Sequence, residues 1–542
     1  FRGELYRDFA DPVGMASRAL VEGLFGLEPD LISKTVRVSP GWPGKWTYAE
    51  FESPDFSLQF RQTGKLDRYE LSSRFPQEVS FRLRLRARFD RPKAVRVNGR
   101  PVSWKLLTEA VGTPQMEIVT PPGERSRIEV EWTGNSPECP ELPAFLARGE
   151  ALSLQLKEAR LLEVYDPQQI LAEMVYTEKM LHALLQGEKG WRTFFVRLKQ
   201  EDLIWWQPLS FELREPLELI APDEQKPGEL QFCIRNNQTR SLKGELQVGS
   251  FRKNVELAPR SDSRITDVPC GALVPGSNRI SLSENGKTIL EGKAVNWKLS
   301  SGNQVCFEPQ LLESYFNDRV NRIFEKQYYS PRSPYPTLSI PVQGIGDWCS
   351  FREEAEIDDT GLRETSGKGN RIVSPQGIPF AVSSEEKSNV LFSSKWNNYP
   401  DSVSLPLSGK ASHLYLLMAG SAHHMQSRMV NGRITVNYAD GSSDRLDLVS
   451  PDNWWPLEQD YYEDGLAFRV DAPRPPRLWL KTGEWHMQSY PVLGRNRTNR
   501  IDGGAASLLD LPLDPDRKLR SLSLETRTND VVIGLMAVTL QR

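Results

Sequence analysis

At 542 residues, 39% hydrophobic and 26% charged, the chain has material for about three to five separate cores, which excludes a single domain. Its 68 basic and 71 acidic side chains leave a net charge of −3, which excludes a global field that would gather nucleic acid or an anionic membrane; partners are expected to be neutral or recognised locally. No apolar run reaches the roughly 18–20 residues of a membrane-spanning helix, and Cys139, Cys233, Cys270, Cys306 and Cys349 lack the paired spacing of a disulfide framework or zinc site.

Free thiols are expected, with a Cys233–Cys270 pair left open, and neither metal nor cofactor. Phe1 rather than methionine opens the chain, so any secretion signal is expected upstream of it. The first element, ADPVGMASRALVEGLFG, predicts an amphipathic helix within residues 1–34. Asp11 is placed to cap it, Pro12 suits its first turn, Gly26 suits its end, and Val13, Ala16, Leu20 and Leu24 share a face that needs a partner. Residues 35–138 predict an antiparallel β-sandwich. In VSFRLRLRARF the apolar and arginine positions alternate, and Asn98-Gly99 is a hairpin turn. The arginine stripe reads as a solvated or acid-paired face rather than an anion site.

Residues 139–215 predict a connector with strands and a helix over DPQQILAEMVYTEKMLHALLQG. In the strand-like stretch after it, Trp205 and Trp206 serve as core or linker contacts. Short strands with turns every 8–12 residues make 216–300 an immunoglobulin-like sandwich. A helical linker is expected over 301–339, with Leu312, Phe316, Val320 and Ile323 in register. The strand-dense remainder, 340–542, predicts a jelly-roll-like sandwich with a hairpin at Asp440-Gly441. The fold class is therefore mainly β: several sandwiches and a few short helices.

The chemistry is concentrated in the last region. NWWPLEQDYYEDG crowds Trp454, Trp455 and Tyr461 with Glu458 and Asp460, the mixture of ring faces and acceptors that sugar recognition requires. The competing reading is a loop that folds back and buries its aromatics under the sandwich. SSKWNNYPD, with Trp396 and Asn398, and TGEWHMQSY, with Trp485 and His486, have the same character. The tetrapeptide His-Met-Gln-Ser begins at both His424 and His486, which raises a shared polar site. Glu458 and Asp460 are also candidates for a glycosidase carboxylate pair. Asp358-Asp359 lacks the spaced ligands of a calcium loop and reads as a turn.

Residues 7–46, RDFADPVGMASRALVEGLFGLEPDLISKTVRVSPGWPGKW, resemble the last hairpin and exit of six-hairpin (α/α)6-barrel glycoside hydrolases, in which a final barrel helix leads through a G-x-x-P-D turn into a β-sandwich. GIPFAV, KSNVLFSSKWNNYPDSVSLPLSGKASHLYLLMAGSAHHMQSR and SPDNWWPLEQDYY resemble the C-terminal sandwich of bacterial polysaccharide-utilisation proteins carrying an uncharacterised domain, and are similar to galactose-binding-like jelly rolls. The resemblance implies that the first helix is the end of a catalytic barrel lying before Phe1, so no catalytic residue is carried over. It further implies an accessory role on a complex polysaccharide or oligosaccharide, in the periplasm or outside the cell. The alternative is a non-catalytic glycan-binding or scaffold protein, complete as it stands.

Overall fold

The computed structural model describes residues 11–222, 225–301, 305–324, 340–341, 352–353, 356–395, 398–422, 426, 428–460, 470, 473–487, 501–529 and 531–542. They divide between Pro216 and Leu217 into two compact units, each built of β-sheets.

The first unit opens with the helix Asp11–Arg18, which widens into a π-turn, Ala19–Leu24, closed by the amide of Phe25 on the carbonyl of Leu20 at 3.1 Å. Within this turn Val21 and Leu24 pack on the neighbouring sandwich, whereas Leu20, and Ala16 before it, face water. The Gly26-Leu27-Glu28-Pro29-Asp30 stretch, expected as a turn, is instead a strand, Leu27–Asp30, paired antiparallel with Thr35–Val38. Gly41 secures this exit: its amide donates to Leu24 O at 3.0 Å, and a Cβ there would lie 2.2 Å from Gly23 O.

A five-stranded and a six-stranded sheet follow, with Phe81, Leu83 and Leu85 pointing into the core between them as the alternation requires. The arginine stripe is tied down: Arg84 pairs with Glu117 at 3.2 Å and Arg88 with Asp67 at 2.7 Å.

Where a helix was expected over 166–187, the chain forms two antiparallel strands, Leu171–Tyr176 and Met180–Leu185. The Asp166 carboxylate does not begin a helix; it accepts the amide of Leu171 at 2.8 Å, and Gln169 and Glu173 take positive φ. MLHALL satisfies either period. Burial of Leu181, Ala183 and Leu185, alternating with Met180, His182 and Leu184, selects the strand. These strands and Ala151–Gln155 form one sheet, and Phe145–Ala147, Arg160–Tyr165, Gly190–Gln200 and Leu203–Arg214 form a second.

The second unit begins with three- and four-stranded sheets closing over Phe232, Ile234, Leu246 and Leu282, an immunoglobulin-like sandwich. Cys233 and Cys270 are free thiols. The third expected helix is also corrected. Phe307–Gln310 is a strand and Val320–Arg322 a single 3-10 turn, with Leu312, Val320 and Ile323 buried because two different cores claim them.

In the terminal sandwich the strands His413–Ala422, Ala505–Pro512 and Val531–Gln541 are buried along almost their whole length, since a four-stranded sheet covers one face and segments carrying Leu362, Ile378 and Phe380 cover the other. Double coverage is why these strands read as continuous apolar runs. Asp510 joins this sandwich to the immunoglobulin-like one. Its carboxylate accepts the Ser277 amide at 2.6 Å and the Ser277 hydroxyl at 3.0 Å, and pairs with His413 Nε2 at 2.7 Å. Gly276, at φ +88°, admits that carboxylate, which a Cβ would meet at 2.7 Å. Serine, histidine and aspartate meet here, but aspartate stands in the middle, so no hydroxyl is presented to the imidazole as a nucleophile would be.

Candidate functional site

Trp454 and Trp455 are each 1% exposed. Trp454 lies in the sandwich core and donates its indole N–H to Asn431 Oδ1 at 3.2 Å; the Arg474 guanidinium sits 4.7 Å over the Trp455 ring. Their segment crosses two strands, the Leu457 amide bonding Gly420 O and the Leu457 carbonyl receiving the Ala505 amide. As folded, neither indole offers a face to solvent, so the fold-back reading describes residues 453–460.

Glu458, 2% exposed, accepts the Ser421 hydroxyl at 2.6 Å, and its second oxygen has no hydrogen-bond partner among the described residues. Burial pushes its pKa up to about 7, against the opposing pull of Ser421 and Arg477. Asp460 is ionically bound by Arg477 at 2.8 Å and by Arg474. Arg477 also donates to the carbonyls of Pro456 and Ala505, each at 2.7 Å, while desolvation lowers its pKa. This is a buried ion network centred on Asp460, in which Arg477 Nε has no hydrogen-bond partner among the described residues. Glu458 has a general acid's elevated pKa, yet general-acid catalysis requires contact with the glycosidic oxygen, which a carboxyl so deeply covered does not make as folded.

The Arg477–Trp479 strand brings a second expected cluster alongside. It pairs with Trp485–His486, and the His486 ring stacks on Trp479 at 4.2 Å. Both Trp485 and His486 are half-buried, as is Asn398 in a separate turn. Trp396, His424 and Tyr461 lie outside the described residues.

An exposed aromatic surface lies elsewhere, on the outward face of the sheet formed by strands within residues 145–214. Register fixes its layout. Tyr165, Phe195 and Pro208 stand side by side across three strands; the next row holds Glu163, Arg197 and Trp206. On the other side Thr193 and Ser210 face each other with hydroxyls 2.8 Å apart, and beyond them Trp191 stands opposite Glu212, itself beside Phe145. Tyr165 is 56% exposed and Trp191 71%. Tyr165 meets Phe195 at 6.2 Å and the edge of Trp206 at 6.4 Å.

One residue of this face comes from the preceding sandwich. Residues 110–112 hydrogen-bond to both backbone groups of Trp206 at 2.8 Å, which carries Glu109 onto the sheet. Glu109 accepts Arg197 at 3.0 Å and the Trp206 indole at 3.3 Å, and Glu163 flanks Arg197 at 3.6 Å. The result is an apolar strip bordered by hydroxyls on one side and a fixed ionic row on the other. The sequence carried one signal for it: the doublets Phe194-Phe195 and Trp205-Trp206 put one ring on each side of a strand, so one member of each doublet faces outward.

No family model and no curated protein matches the chain. Among solved structures it is similar to the Bacteroides ovatus mixed-linkage glucan utilization locus protein SGBP-B in complex with mixed-linkage heptasaccharide, at 9% identity and TM-score 0.17, over 80% of this chain and 88% of that one. It is also similar to the cycloalternan-forming enzyme from Listeria monocytogenes in complex with pentasaccharide substrate, at 8% identity and TM-score 0.14, over 48% of this chain and 22% of that one. Three immunoglobulin domains of titin give 9% identity and TM-score 0.14, over 42% of this chain and 90% of that one. At such scores the likenesses carry no argument about family or function.

Proposed function

We propose that this chain recognises glycan without transforming it, as the accessory part of a polysaccharide-degrading protein that works in the periplasm or outside the cell. A catalytic (α/α)6 barrel before Phe1 belongs to the same proposal. The observation that carries recognition is the Tyr165–Phe195–Pro208 row on an open sheet, bordered by the Thr193–Ser210 hydroxyl pair and by Arg197. A pyranose presents an apolar C–H face for such a row and equatorial hydroxyls for its borders. Tyr165 is well exposed, so Tyr165→Ala removes contact surface without opening a core. An aromatic contact contributes about 1 kcal/mol, so the substitution is expected to weaken binding roughly fivefold while the melting temperature holds. Affinity electrophoresis in gels containing a panel of soluble polysaccharides measures this. If none of them retards the native chain, the reading fails.

A further inference from the structure

Resting on that reading, we infer that the face of residues 145–214 takes an internal stretch of an uncharged polysaccharide chain, rather than an acidic glycan or a single terminal sugar. Charge is the first ground. The acidic groups of the face are Glu109, Glu163 and Glu212, and the basic ones Arg160, Arg197, Lys199 and Arg214, so the formal sum is only +1, and Arg160 itself lies 3.7 Å from the Glu178 carboxylate at the edge of the face. Their arrangement matters more. Arg197 is held between Glu109 and Glu163, and Arg214 is bound to Glu212 while its guanidinium lies 4.2 Å over the Phe145 ring. A uronate or sulfate that sought either guanidinium would have to displace a carboxylate already in place and would meet the repulsion of that carboxylate.

Shape is the second ground. The exposed rings stand at both ends of the Thr193–Ser210 hydroxyl pair: Trp191 precedes Phe195 by four residues on one strand, about 13 Å along it. Tyr165 and Trp191 are well exposed and Thr193 is half-buried on one face of the sheet, so a sugar bound over the Tyr165 row leaves Trp191 free for another unit of the same chain. The hydroxyl pair between them can donate to or accept from sugar hydroxyls, and carries no charge.

The test is calorimetric titration of the native chain, in low and in high salt, with soluble glucan, mannan and arabinoxylan, with oligosaccharides of increasing length from whichever binds, with the matching monosaccharide, and with polygalacturonate. A neutral polymer is expected to bind with little salt dependence, affinity is expected to rise with oligosaccharide length, and Trp191→Ala is expected to erase most of that rise, about fivefold to tenfold. Polygalacturonate binding in preference to the neutral polymers would overturn the inference and leave glycan recognition standing. So would monosaccharide binding as tight as the longest oligosaccharide, or a Trp191→Ala protein indistinguishable from the native one. Absence of binding to every sugar would remove both.

Discussion

Glu458 links burial to pH. In the fold its carboxyl titrates at about 7 instead of the ordinary 4.5, because burial opposes its charge. Between these values the folded chain keeps a proton that the unfolded chain has released. The contribution of this group is therefore fully favourable below 4.5 and is lost as pH rises through about 7, a difference of about 3 kcal/mol. Glu458→Gln keeps the neutral shape at all pH values. Its melting temperature should match that of the native chain in acid and exceed it increasingly up to neutrality; a gap independent of pH would contradict the assignment. The same residue shows where sequence reasoning stops. NWWPLEQD has the side chains of a sugar site, and side-chain type alone does not distinguish rings offered to water from rings buried beneath a sheet. What decides is backbone pairing of Leu457 with Gly420 and Ala505, residues distant in sequence.

At the scale of elements, strands with one wet face were legible from alternation, as in VSFRLRLRARF, and the doubly covered strands of the terminal sandwich from their apolar runs. Helices were over-read. An Asp-Pro start and helix-forming residues describe 166–187 as well as 11–26, but local preferences of a few tenths of a kcal/mol per residue yield to burial of Leu181 and Leu185 in a sheet. The first expected helix does form, over Asp11–Arg18, and it depends on its exit. Gly41→Ala would force a Cβ against Gly23 O, so the prediction is local: trypsin should cut faster at Arg18, while the melting transition of the sandwich moves little. Equal cutting in both proteins would show that the exit does not hold the helix.

At the scale of the molecule, several cores were foreseeable from length, but the joints between them were not, because each joint is made by residues far apart in sequence. Asp510 is the plainest case, receiving Ser277 across 233 positions. Asp510→Ala strips the acceptor from the Ser277 amide and hydroxyl and from His413, leaving buried donors unanswered at about 1–3 kcal/mol each. Differential scanning calorimetry should then resolve the melting of residues 217–300 from that of the terminal sandwich, whereas in the native chain these two are expected to melt together. A single, merely lowered transition would mean that other contacts, such as the Tyr415 hydroxyl on Pro275 O, suffice to couple them.

The backbone bonds of residues 110–112 to Trp206 also bear on inheritance and engineering. Borders drawn by counting cores would treat 139–215 as a portable cassette, to be shuffled between proteins or grafted onto a reporter. Such a graft would arrive without Glu109, with the Trp206 edge bare and Arg197 answered only by Glu163. The smallest transferable unit is thus the pair of sandwiches together, and lineages that recombine this surface should be found to exchange both at once.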